Sequence, residues 1–82
     1  MLTEYLSAAA RQAVYEMLPE DGQFYGEIPI CPGVIATGKT LEECRGELLS
    51  ALEDWIFFRI HRHLSLPVID GLELSVKEEA AS

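Results

Sequence analysis

His61 and His63 are the residues whose chemistry first invites a metal ion. They stand two apart in a helical stretch, so their rings diverge, and no Cys or carboxylate lies near them at a convincing ligand spacing. No metal site is expected there. With Arg59 and Arg62 they form a basic helix end suited to terminal carbonyls and to an acidic surface. Glu16 and Glu27 are carboxylates that a metal-dependent nuclease would place on neighbouring strands. Such an enzyme also needs cations to hold a phosphate backbone, and 6 Lys and Arg against 14 Asp and Glu hardly supply them. Cys31, between Ile30 and Pro32, reads as an exposed loop thiol with no His close in sequence to activate it. The glycines Gly22, Gly26, Gly33 and Gly38 make no phosphate-binding pattern and read as turn residues. No catalytic residue and no cofactor is expected, and metal-assisted hydrolysis stands as the weakest alternative.

The elements that position these groups can be read from periodicity. Leu2, Tyr5, Leu6, Ala9 and Ala13 have helical spacing, predicting a short N-terminal helix over Thr3–Ala10. Arg11–Leu18 then reads as a strand, Pro19–Gly22 as a turn, and the alternating Gln23–Ile28 as a second strand. Pro29 and Pro32 cannot donate to a ladder and Gly33 permits a reversal, so a loop precedes a third strand over Val34–Thr37. Thr40 and Glu43 form a capping box that opens a long helix from Leu41 to about His61. Its stripe of Leu41, Cys44, Leu48, Ala51, Leu52, Trp55 and Ile56 is the main core face, with Glu43, Glu47 and Asp54 opposite. Asp70-Gly71 turns the chain into a fourth strand marked by Leu72, Leu74 and Val76, and the tail from Glu78 is expected to fray. The result is an α+β layer, with the long helix across one face of an antiparallel sheet. Strand register decides whether Tyr15 or Val14, and Tyr25 or Phe24, reach the other face, which the short first helix does not fully cover.

Phe57 lies about 160° around the long helix from Leu41. It therefore points outward, flanked by Leu49 and Ile60, and these three residues are the candidate protein-binding patch. The competing reading is that Leu64 to Val68 fold back and cover them.

Composition bounds the rest. At 82 residues the chain is one domain, residues 1–82, and buries only about 63% of its surface on folding. That thin margin predicts a homo-oligomer. A composition 49% hydrophobic and 24% charged belongs to a folded protein. No run is apolar enough to cross a bilayer and no secretory signal opens the chain, so a cytoplasmic location without membrane association is expected. Two cysteines outside any C-x-x-C pair indicate reduced thiols, with Cys44 in the core. A net charge of −8 disfavours direct nucleic-acid binding by this chain alone and suits a basic protein partner.

The stretch GEIPICPGVIATGKTLEEC, followed by an apolar helix containing Glu53-Asp54-Trp55, resembles the HicB-like antitoxin family. The resemblance extends upstream to Asp21-Gly22 and downstream to Leu66-Pro67-Val68-Ile69-Asp70-Gly71, spanning most of residues 11 to 76. It implies a partial ribonuclease-H-like fold without a working carboxylate set, used to bind and mask a small basic mRNA-cleaving toxin of the HicA type. Many members of that family continue into a DNA-binding segment. Only six residues follow Val76 here, so autoregulation by this chain alone is not expected. The matching glycines, prolines, Thr40 and Glu43 serve turns and a cap, and so mark the fold without marking a binding site. An orphan oligomeric module that binds another protein or a small ligand is the alternative reading.

Overall fold

The computed structural model describes residues 2–74. The Ala-rich opening forms α1 (Leu2–Arg11), which buries Tyr5, Ala8 and Ala9 on one face. The helix keeps hold of the chain after its last turn: Gln12 N–H donates to Ala9 O and Ala13 N–H to Ala10 O. Those amides are unavailable to a ladder, so the first strand is shorter than the expected Arg11–Leu18. It is β1 (Val14–Met17).

β1 pairs with β2 (Phe24–Glu27), and β2 with β3 (Ile35–Gly38), both antiparallel, in the order β1-β2-β3. Tyr15, Gly26 and Ala36 lie abreast in one row, and Glu16, Tyr25 and Thr37 in the next. Successive residues of a strand face opposite ways, so these rows belong to opposite faces of the sheet. The 29–33 loop is closed by Cys31 N–H to Ile28 O and Val34 N–H to Cys31 O. This tucks Cys31 inward, where it is wholly buried, correcting the reading of an exposed thiol.

Thr40 Oγ1 accepts from Glu43 N–H at 3.0 Å and opens α2 (Leu41–His61). The Glu43 carboxylate reaches back to the amide of Lys39, one residue before the cap. Cys44, Leu48, Leu52 and Ile56 are buried against the sheet and α1. Leu41 is exposed, against expectation, because it opens the helix ahead of the turn that reaches the sheet at Cys44.

At that point of contact the strand glycines earn their place. A β-carbon on Gly38 would lie 2.5 Å from the Cys44 amide nitrogen, and one on Gly26 would lie 2.8 Å from the Tyr15 ring. Gly26 and Gly38 are thus close-approach residues within strands, and the reading of all four as turn residues holds only for Gly22 and Gly33.

α2 ends in a Schellman arrangement: Leu64 N–H donates to Arg59 O and His63 N–H to Ile60 O, with His63 at φ 58°. The remaining chain returns along the core. Tyr5 donates its phenol O–H to Pro67 O, and Ile69 is fully buried. Of the fourth strand expected over Leu72, Leu74 and Val76, the described residues show an isolated bridge between Ile69 and Leu72. It closes the Asp70-Gly71 turn, whose residues sit at φ 52° and 75°, the hand favoured by a tight hairpin. Val76 lies outside the described residues.

Candidate interaction surface

With α2 on one face of the sheet and α1 packed on α2, no element among the described residues packs on the opposite face. The register assigns it Val14, Glu16, Tyr25, Glu27, Ile35 and Thr37, and both Val14 and Ile35 are about half exposed. Register thus settles the alternatives left by the sequence: Val14 and Tyr25 face out, Tyr15 and Phe24 face α2. Tyr25 donates its phenol O–H to Glu27 Oε1 at 2.9 Å. That bond to a carboxylate holds the Tyr25 pKa above its usual value. Glu16 and Glu27 share this face on adjacent strands but are not cross-strand partners, since Glu16 pairs with Tyr25 and Glu27 with Val14.

A groove of about 750 Å³ runs between β3 and α2. It is lined by Glu43, Glu47 and Asp54 from α2, by Lys39 from the turn, and by Ile35, Ala36, Thr37 and Gly38 of β3. The sequence placed these three carboxylates opposite the core stripe, and their 4- and 7-residue spacing was the available signal that they share one helix face. That this face runs beside the edge of β3 was not visible in the sequence.

The third surface is the far end of α2. Phe57 is 64% exposed and Phe58 52%. Arg62 stacks its guanidinium 5.0 Å from the Phe58 ring, and Arg59 sits likewise over Trp55. Leu49 and Ile60, expected to flank Phe57 outward, are half buried against the core, so the solvent-facing neighbour of Phe57 is Phe58. Trp55 donates its indole N–H to Pro32 O, and Arg59 Nε donates to Ser65 O. The carbonyls of Phe58, Arg59 and Ile60 accept from backbone amides, while the Arg59 side chain serves the segment beyond. His61 and His63 are exposed at this end.

Among the described residues, no group of three or more His, Cys, Asp and Glu side chains is placed to hold a metal ion. The Cys31 thiol is pushed up to about 11 by burial, with Arg59 pulling weakly the other way, and burial also raises Cys44. A thiol held protonated in this way is a poor nucleophile.

The model of the family described as UPF0150-like matches residues 4–67, most of the chain, from within α1 to beyond the end of α2. The chain belongs to the UPF0150-like family. That family is associated with HicB-like antitoxin-type proteins. A solved chain, the crystal structure of TTHA0281 from Thermus thermophilus, is 42% identical to this UPF0150-like chain. The two superpose with a TM-score of 0.86, covering 93% of this chain and 94% of that one. No curated protein matches the sequence. None of the helices among the described residues of this family member is long and apolar enough to cross a membrane.

Proposed function

We propose that this UPF0150-like chain is a non-enzymatic interaction protein of the HicB-like antitoxin type, which binds and masks a small basic mRNA-cleaving toxin of the HicA kind. The observation that carries this reading is the family match over residues 4–67 in a chain of net charge −8. An acidic protein steers a cationic partner toward itself and covers it, and does so faster at low ionic strength. In this reading the fold is a partial ribonuclease-H-like one, and the protein works in the cytoplasm as a homo-oligomer. Phe57 and Phe58, aromatic and solvent-facing at the end of α2, support self-association.

The test is co-expression with any short Lys- and Arg-rich protein that an adjacent reading frame encodes. The expected result is a co-purifying complex that dissociates as salt rises and in which cleavage of mRNA by the partner is suppressed. Recovery of the isolated chain alone, or tight binding of an RNA or DNA oligomer to it without a companion protein, would overturn the reading.

A further inference from the structure

We infer that the groove between β3 and α2 is a receptor for one extended strand of a basic protein, which pairs with the edge of β3 and lays its Lys and Arg side chains on Glu47 and Asp54. This inference deepens the proposed function by assigning the surface and the binding mode. The argument begins at the strand edge. Ile28 N–H donates to Val34 O, which makes 28 and 34 a hydrogen-bonded pair. Alternation then turns the polar groups of Ala36 and Gly38 toward β2 and those of Ile35 and Thr37 away from it. Among the described residues no strand lies beyond β3, so two amides and two carbonyls face the groove side unpaired. An edge of this kind is a template for another strand.

The side chains choose the occupant. An incoming strand presents alternate residues to the two sheet faces. On the helix side it runs beside Ala36, with Glu47 and Asp54 on the facing wall of the groove within reach of long side chains. On the open side it meets Ile35, half exposed, and Thr37, which suit β-branched residues. The preferred segment therefore alternates basic and β-branched residues. A second copy of this chain is the poorer occupant, because pairing β3 with β3 would set two rows of Glu43, Glu47 and Asp54 against each other.

The probe is an acetylated octapeptide of alternating lysine and valine, titrated into the full chain and followed by backbone amide NMR shifts. Shifts should concentrate at residues 35–39 and along 43–54, with the amides of Ile35 and Thr37 gaining protection from exchange. Thr37→Pro, which removes an outward amide at a position where edge strands tolerate proline, should abolish pairing in a folded chain. Glu47→Lys with Asp54→Lys should weaken binding about tenfold, while Glu20→Lys should not. Equal binding of the alternating glutamate and valine peptide, shifts confined to the Phe57 end, or indifference to both variants would overturn the inference. So would a chain dimer broken by Thr37→Pro that takes up no peptide. A basic protein partner held at full strength by the Thr37→Pro chain would sink this site and leave the masking function standing. A peptide seated as described on a chain that binds no basic protein would do the reverse.

Discussion

Tyr5 and Pro67, 62 residues apart, are joined by one hydrogen bond from the phenol O–H to the proline carbonyl. It fastens the returning chain to α1, and the Tyr5 ring is itself buried in the core. Tyr5→Phe keeps the ring and removes the bond, so stability in urea should fall by about 1 kcal/mol. Faster amide exchange over residues 64–69 would show that the loss is local to this joint, and unchanged exchange would refute the fastening role.

Gly38 and Gly46 predict opposite signs for the same substitution. Gly38→Ala drives a β-carbon into the Cys44 backbone, which cannot swing aside, and should cost about 2–4 kcal/mol. Gly46 is exposed in the interior of α2 with nothing near its missing β-carbon, so Gly46→Ala should stabilise by about 0.5–1 kcal/mol. Urea melts of the two variants check both.

Alkaline pH should unfold the protein through its buried protons. Cys31 titrates at about 11 when folded against 9.0 for an unperturbed thiol, so the folded state holds the proton to higher pH. The stability this contributes is whole below about pH 9 and is lost as pH rises through about 11, to the extent of about 2–3 kcal/mol. Tyr5 and Cys44, also raised, act in the same direction. Cys31→Ala should flatten the slope of stability against pH over that window, and an unchanged slope would assign the effect elsewhere. At neutral pH a thiol reagent should label Cys31 and Cys44 only at the rate of unfolding.

The cap of α2 should behave as a local anchor. Thr40→Ala removes the acceptor for the Glu43 amide and should cost about 1 kcal/mol, measured by thermal or urea unfolding. Thr40→Ser, which keeps the oxygen, should recover most of it.

Phe57→Glu should leave folding within about 0.5 kcal/mol, since the ring is mostly in solvent. If Phe57 lies in a self-association interface, sedimentation will show the variant as a smaller species. The same mass as the parent chain, with folding intact, removes Phe57 from that interface.

Local chemistry in the sequence determined the elements. The capping box at Thr40 located the start of α2 to the residue, and its 3.6-residue stripe named Cys44, Leu48, Leu52 and Ile56 as core. Alternation and turn residues located β2 and the loop at 29–33, because pleat and φ preference act within a few residues. The first strand began later than its residue types allowed, since α1 had already claimed the neighbouring amides.

What the tertiary structure decided was everything set by partners distant in sequence. Burial of Cys31 depends on Ile28 and Val34 closing their loop over it, and the placement of Leu49 and Ile60 on how their helix meets the rest of the core. The two faces of the sheet were interchangeable until the register brought Tyr15 against Gly26 and left Val14, Ile35 and Tyr25 outside. The carboxylates of α2 became one wall of a groove only because Gly38 lets that helix lie close along β3. A periodicity tells which residues share a face, and only packing tells what that face looks upon.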